Sequence, residues 1–219
     1  MECFLDTIPS GFPSLDALIE GWKNGHLIIL GGRPCTGKST FIQQVFQYAF
    51  AQHGIHSAVF RLDEFVTRDV NGNFCYASTL DVDELLEKTK ESFRKDGVRL
   101  VAVDPIGLVK ASGSRDERRM GKVARMLKQA AVELNIPILV ASGMKRSLFR
   151  RSDRTPRITD LHECKSITPY ADEVLLFDGF RRIELMDKIF VNVVKNSEGP
   201  LREVSFDFSY DCCFSEFYE

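Results

Sequence analysis

The chain has little of what marks a membrane, secreted or fibrous protein. Among its 219 residues the longest apolar runs span about six positions, as in 136–141, whereas a transmembrane helix needs about 20. The first nine residues contain two acids but no basic region and no apolar core, so no signal peptide is recognised. A composition of 44% hydrophobic and 27% charged residues excludes collagen-like and wholly disordered classes. We therefore expect a cytoplasmic protein with no membrane partner.

Cysteine patterning is also missing. The six cysteines form no C-x-x-C pair and have no histidine at zinc-site spacing, so reduced thiols are expected rather than a disulfide or zinc scaffold. No internal repeat and no interdomain linker interrupts the chain. Its length suffices for one hydrophobic core, so a single domain over residues 1–219 is predicted.

Positive charge is concentrated in one part of the chain. The formal net charge is −2, but between Lys110 and Arg157 there are 13 lysines and arginines and four acids. This segment carries +9 and the rest of the chain −11. A solvated helix face would explain one basic run. Two basic stretches on either side of a predicted strand favour a surface that attracts phosphate.

Strand and helix patterns alternate along most of the sequence. Strands are predicted at 27–30, 57–62, 100–103, 138–142 and 174–177, and helices at about 37–53, from Asp81 onward and at about 118–135. Asp81, with Glu84 three residues later, resembles a capping pair that opens its helix. This repetition is typical of a mostly parallel sheet with helices on both faces. Residues 189–194 and 201–208 predict a C-terminal antiparallel hairpin. The polar segment 143–159 is predicted to be a long functional loop.

The turn after the first predicted strand carries a phosphate-binding motif. Residues 32–39 match G-x-x-x-x-G-K-[ST] between a strand and a helix, the context that the motif requires. Its backbone N–H groups and the helix N-terminus favour an anion. Lys38 is predicted to reach the β- and γ-phosphates, and the Ser39 hydroxyl to bind Mg²⁺. The predicted ATP-binding residues are Gly32, Arg33, Pro34, Cys35, Thr36, Gly37, Lys38, Ser39 and Thr40.

Three carboxylates are candidates for the chemistry of hydrolysis. Asp104 ends an apolar strand, where a carboxylate beside the motif would hold Mg²⁺ through water. Asp63 and Glu64 follow the neighbouring predicted strand, and either could orient and deprotonate the attacking water. An acidic pair that only caps a helix is the alternative.

The order of these motifs resembles the RecA-like motor domain of DnaB-type replicative helicases. The resemblance begins at Ile8, continues through the P-loop, the stretch 81–109 and Asn135-Ile-Pro-Ile-Leu-Val, and ends at Gly199-Pro200. It covers nearly the whole chain. It implies an ATP- and Mg²⁺-dependent ATPase that is stimulated by single-stranded DNA and assembles as a ring or hexamer. The family's catalytic glutamate position falls on Asp63, with Glu64 beside it.

The resemblance also assigns the two basic stretches. The family's DNA-facing loops correspond to 110–119, here called loop 1, and 146–157, here called loop 2. The DNA-binding candidates are Arg115, Arg118, Arg119, Arg146, Arg150, Arg151 and Arg154. Lys195 corresponds to the retained trans-acting lysine, and Arg202 is a candidate to replace the arginine finger.

Several departures from the family pattern leave a second function open. We expect no N-terminal primase-interacting domain ahead of the motor, and a chain shorter than the family's between Glu64 and Asp104. Gly143 stands at the sensor-glutamine position and Ser197 at the arginine-finger position. An arginine finger contributes roughly 10³–10⁵ in rate, so slow hydrolysis is expected unless another group substitutes. The alternative to a helicase-like ATPase is a catalytically weakened, nucleotide-dependent DNA-binding or regulatory module.

Overall fold

A computed structural model describes residues 6–62, 73–76, 80–111, 116–183, 186–208 and 214–215. The strands are β1 (Thr7–Ile8), β2 (Trp22–Lys23), β3 (Leu27–Gly32), β4 (Ser57–Arg61), β5 (Asn73–Tyr76), β6 (Leu100–Asp104), β7 (Ile138–Ser142), β8 (Glu173–Ile183), β9 (Met186–Asn196), β10 (Glu203–Phe208) and β11 (Phe214–Ser215). The α-helices are α1 (Pro13–Ile19), α2 (Lys38–His53), α3 (Val82–Lys95), α4 (Asp116–Leu134) and α5 (Cys164–Ile167). Short 3₁₀ helices cover Ile106–Leu108, Arg146–Arg150 and Ile158–Asp160.

Within these described ranges nine strands form one sheet, in the order β11-β10-β9-β8-β3-β7-β6-β4-β5. The pairs from β8 to β5 are parallel, whereas β9 pairs antiparallel with both β8 and β10. The predicted architecture, a mostly parallel sheet followed by an antiparallel hairpin, is confirmed. Because β3 lies centrally, the turn that follows it leaves the middle of the sheet's carboxyl edge.

The two faces of the sheet are covered by different helices. Side chains alternate along β3, so Leu27 and Ile29 pack in a core cluster with α3, α4 and α5, while Ile28 and Leu30 pack with α1 and α2. All four are at most 1% exposed. Burial on both faces requires an apolar residue at every position, which is why the central strands form continuous apolar runs.

Helix α3 begins where the acidic pattern predicts. The Asp81 carboxylate accepts a hydrogen bond of 3.1 Å from the backbone N–H of Asp83 and so caps the helix. Glu84, the other member of the predicted capping pair, lies 3.7 Å from Lys88 Nζ. The cap is therefore confirmed through Asp81.

The strand predicted at 174–177 is too short. β8 runs over 11 residues, Glu173–Ile183. It pairs with β3 as far as Phe177 and then continues as a ribbon with β9, with a register shift at Phe177/Gly179. Beyond Phe177, β9 is the one strand that pairs with β8 in the described ranges, and polar residues are tolerated there. The apolar pattern therefore stops before the strand does. In the hairpin, β10 begins at Glu203 rather than at the exposed Leu201.

Candidate nucleotide site and basic loops

The parallel strands deliver their carboxyl ends to one edge of the sheet. Gly31 of β3 pairs with Ser142 of β7, and Gly32 pairs with Phe177 of β8. Asp104 ends β6 at the same edge and is 7% exposed. β3 connects through α2 to β4, which lies beyond β7 and β6. This is the kind of switch point at which open α/β sheets bind ligands.

The turn from β3 to α2 is fixed by its backbone. Cys35 and Gly37 have φ values of 59° and 84°, a left-handed conformation that is natural for glycine and uncommon for cysteine. A Cβ at Gly32 would lie 2.6 Å from Thr36 Oγ1 and 3.1 Å from Phe177 Cβ. Only glycine fits there, because the loop folds tightly over the end of β3. The motif therefore forms the P-loop that the sequence predicts.

Lys38 turns back over this loop. Its Nζ donates to the carbonyl oxygens of Gly32 at 3.1 Å and Arg33 at 2.7 Å. The Thr36 hydroxyl donates to Arg33 O at 2.8 Å. Burial lowers the pKa of Lys38 below its usual value, and the nearby Asp104 carboxylate opposes part of that change. A partly desolvated ammonium group beside the start of a 16-residue helix provides strong attraction for a phosphate.

The oxygen ligands of this edge fit magnesium. Ser39 is exposed in the first turn of α2, and Asp104 lies close enough to act electrostatically on Lys38. The described residues contain no group of three His, Cys, Asp or Glu side chains that could hold a metal. Mg²⁺ instead commonly uses one or two protein oxygens together with phosphate and water. The donor set of Ser39 and Asp104 suits that arrangement.

The candidate bases Asp63 and Glu64 lie outside the described residues. The chain reaches them from β4, whose Arg61 pairs with Asp104. The Leu62 N–H then donates to Asp104 O at 2.9 Å. β4 therefore leads directly from the carboxyl edge to both candidates.

Loop 1 is described only in part. Arg115 lies outside the described residues, and of Arg118 only its place in α4 is described. Arg119 is directed back onto the protein, where its Nη2 contacts Gly107 O at 3.4 Å. Lys110 is exposed and its backbone is anchored, since its N–H donates to Leu80 O at 2.9 Å.

In loop 2 the arginines divide into two kinds. Arg146, Arg150 and Arg154 are exposed. Arg151 instead forms a two-pronged ion pair with the buried Asp160, at 3.2 and 2.9 Å. Arg151 also donates to Thr155 O at 2.8 Å. The sequence assigns all four arginines one role, but the geometry separates an internal clamp from three exposed cations.

The ends of loop 2 meet beside the P-loop strand. Met144 and Leu161 form an antiparallel bridge, and the His162 N–H donates to Gly143 O at 3.0 Å. A Cβ at Gly31 would lie 2.3 Å from Leu161 Cδ2, so the base of the loop packs directly on β3. Sequence reasoning does not single out Leu161, because an apolar residue in a polar segment carries no chemical signal.

The trans-acting candidates lie near the turn between β9 and β10. Lys195 Nζ donates within its own chain to Thr168 O at 3.0 Å and to Ala171 O. The Ser197 N–H donates to Asp172 O at 3.1 Å. Arg202 is exposed. The structure thus brings Lys195 to the turn after α5.

Comparison with protein families shows to which family of P-loop ATPases the chain belongs. A model of the DnaB-like helicase C terminal domain matches residues 7–85 and 68–217. The chain belongs to this family. The two matched segments overlap at 68–85, within the region between Glu64 and Asp104 where the sequence predicts a shortened chain.

Curated relatives of this chain are about a quarter identical to it in sequence. The replicative DNA helicase DnaB of Geobacillus stearothermophilus is 24% identical over 92% of this chain and 54% of its own length. That of Mycoplasma pneumoniae is 26% identical over 96% of the chain and 56% of its own length. The chain thus spans about half the length of the curated relatives it matches. The first alignment occupies 246 positions, so this relative has additional residues inside the matched region.

Solved structures of related domains share the fold. One solved ATPase domain superposes with a TM-score of 0.86 at 20% identity, covering 97% of this chain and 92% of that one. A DnaB-like replicative helicase, solved in a study of its interactions with primase, gives 0.87 at 20% identity over 97% and 62%. The RecA-like fold is therefore confirmed. In the described part of the chain no helix is long and apolar enough to cross a membrane.

Proposed function

We propose that this DnaB-like domain binds ATP with Mg²⁺ and couples ATP hydrolysis to movement along single-stranded DNA. The observation that carries the proposal is the P-loop itself, with the Lys38 ammonium held over Gly32 and Arg33 beside Asp104. Backbone N–H groups at the start of α2 and the Lys38 charge would bind the phosphates. Ser39 and Asp104 would hold Mg²⁺, which neutralises phosphate charge when bound.

Hydrolysis needs a group that orients and deprotonates water. Asp63 and Glu64 are the proposed candidates, because β4 leads to them from the edge that carries Asp104. Either residue could take this role.

The basic loops are the proposed DNA contacts. In loop 2 the exposed Arg146, Arg150 and Arg154 would bind backbone phosphates, while Arg151 holds the loop in shape through Asp160. Arg115, Arg118 and Arg119 of loop 1 complete the proposed surface. Phosphate contacts of this kind position a strand without reading its sequence.

The base of loop 2 offers a direct route between the two ligands. Leu161 closes the loop through its bridge to Met144 and packs on Gly31, the residue before the P-loop. A shift of β3 would displace the base of loop 2, and a shift of the loop base would displace β3, because close-packed contacts do not deform independently. We propose that nucleotide state changes the presentation of loop 2 through this contact.

Assembly into a ring and a cytoplasmic place of action belong to the same proposal. The named relatives are replicative DNA helicases, and a ring would place loops from several copies around one strand. Lys195 or Arg202 would then act on the ATP of a neighbouring copy. Lys195 would first have to leave its contacts with Thr168 O and Ala171 O.

A weakened binding or regulatory module is the second candidate. It is favoured by Ser197 and Gly143, which carry no cation and no amide at the arginine-finger and sensor positions, and by the internal engagement of Lys195. The two candidates share nucleotide binding and differ in turnover.

The deciding experiment measures ATP turnover by the purified chain with and without single-stranded DNA. A Lys38→Ala variant supplies the blank. DNA-stimulated turnover that this variant lacks supports the motor. Binding of ATP without DNA-dependent turnover contradicts the motor and favours the regulatory module.

A further inference from the structure

A second concave, positively charged surface lies between α4 and α5. This α4–α5 groove is open to solvent and has a volume of about 390 Å³; it is lined by Lys122, Arg125 and Lys165, together with Gly121, Ser166, Pro169 and Tyr170. None of the described residues that line it is acidic. Its lining includes no residue of the P-loop and none of loops 1 and 2. It is therefore a separate cluster of cations, which the candidate sites above do not use.

The groove cations differ from the lysines of α3 in having no acidic partner among the described residues. On α3, Lys88 lies 3.7 Å from Glu84 and Lys95 lies 2.5 Å from Glu91, each within one helical turn. No ion pair in the described ranges includes Lys122, Arg125 or Lys165. Three cations that share one concavity repel each other unless an anion binds between them. The charge of α3 is balanced within the helix, whereas that of the groove is not.

Both walls of the groove are held in place. On the α4 side, a Cβ at Gly121 would lie 3.3 Å from Ser166 O and 3.4 Å from Ser166 Cβ, so the helix backbone approaches α5 closely. On the other side, Lys195 Nζ donates to Thr168 O and Ala171 O and pins the turn that carries Tyr170. A pre-organised site loses less entropy when it binds a ligand.

We propose that the α4–α5 groove binds the phosphodiester backbone of single-stranded DNA, on a path that continues from loop 1. Positions 118, 122 and 125 recur at helical spacing and share one face of α4. Position 118 lies in the first turn of α4, which is part of loop 1, and positions 122 and 125 line the groove. Ser166 and Tyr170 add hydroxyl donors suited to phosphate oxygens. The inference rests on the DNA binding proposed above and adds contacts outside both loops.

The test compares two variants with equal loss of charge. Arg125→Ala/Lys165→Ala removes two groove cations, and Arg94→Ala/Lys95→Ala removes two exposed cations from α3. Binding of an oligothymidine of about 20 nucleotides, longer than a single binding site, is measured by fluorescence anisotropy over a series of salt concentrations. A single-strand phosphate contact contributes about 0.7 to the slope of log affinity against log salt. The groove variant should make this negative slope shallower by about 1.4 and weaken binding by about tenfold at low salt.

The outcomes separate this inference from the proposed function. If the wild-type chain binds the oligonucleotide with no salt dependence or not at all, the proposed DNA binding fails and the groove fails with it. If the affinity of the wild-type chain falls steeply with salt and the groove variant has the same slope as the α3 variant, the groove proposal alone fails. An unchanged slope with weaker binding of MgATP would assign the groove to a free nucleotide, which also contradicts the proposal. Lys122→Gln, which removes one groove cation, should make the slope of log affinity against log salt shallower by about 0.7.

Discussion

The nucleotide edge and loop 2 use cations in different ways. At the nucleotide edge the one lysine is half-buried, and it is oriented by backbone carbonyl oxygens. In loop 2 the enclosed cation, Arg151, is neutralised by Asp160, while Arg146, Arg150 and Arg154 face solvent. An enclosed cation with a carboxylate partner maintains shape. A cation whose hydrogen bonds go mainly to carbonyl oxygens keeps its charge available for a ligand. Burial alone therefore does not distinguish a binding cation from a structural one. The group that contacts the cation, a carbonyl oxygen or a carboxylate, distinguishes them.

The sharpest test of this contrast is Lys38→Ala. The change removes the charge that the P-loop holds over Gly32 O and Arg33 O, and we expect ATP turnover to fall by about 100-fold or more. Steady-state phosphate release measures it. Arg151→Ala is the control, since it removes an enclosed cation of the other kind and should lower stability more than turnover per folded molecule. Equal losses of turnover in the two variants would contradict the distinction.

The contact between the two regions can be broken at Gly31. A Cβ there would lie 2.3 Å from Leu161 Cδ2, so Gly31→Ala should lower the free energy of unfolding by about 1–3 kcal/mol. Gly107→Ala is the matched control, because no atom lies within 4 Å of its added Cβ. Urea denaturation measures both variants. A Gly31→Ala protein as stable as Gly107→Ala would show that the base of loop 2 does not pack on β3.

Within loop 2 the clamp can be separated from the exposed arginines. Arg151→Ala leaves the buried Asp160 without its cationic partner, and we expect the free energy of unfolding to fall by about 2 kcal/mol. Arg154→Ala should leave stability unchanged and weaken binding of single-stranded DNA. Thermal denaturation and anisotropy measure the two effects. The assignment is contradicted if Arg154→Ala destabilises as much as Arg151→Ala does.

The smallest expected effect concerns a buried carboxylate at the other end of the sheet. Burial raises the pKa of Glu173 above its ordinary 4.5, and hydrogen bonding to His26 only partly opposes this. A raised pKa means that Glu173 stabilises the fold below pH 4.5 and loses that contribution as the pH rises through the folded-state pKa. Glu173→Gln should therefore gain stability relative to wild type with rising pH, by about 1 kcal/mol.

Glu198 serves as the control when the free energy of unfolding of Glu173→Gln is measured against pH. It is exposed, and hydrogen bonding to Lys23 lowers its pKa, so its contribution is present above pH 4.5 and lost as the pH falls. Glu198→Gln should change the pH profile in the opposite sense. Parallel profiles for the two variants would remove burial as the cause.

Much of the fold could be predicted from sequence because its signals are local. The apolar runs of β3, β6 and β7 follow from burial on both faces, and the P-loop from spacing that the backbone requires. The far half of β8 could not be predicted, since beyond Phe177 it is held by backbone pairing with β9. The ion pair of Arg151 could not be predicted for a different reason. Its partner Asp160 is nine residues away, and residue type alone does not separate a clamp from a ligand contact.

Binding of single-stranded DNA to loop 2 should change ATP turnover at the nucleotide edge. The most direct measurement is the ratio of ATP turnover with single-stranded DNA to turnover without it, in wild type and in an Arg146→Ala/Arg150→Ala/Arg154→Ala variant. We expect a ratio well above one in wild type and a ratio near one in the variant. A wild-type ratio of one, or a variant that keeps the wild-type ratio, would contradict it.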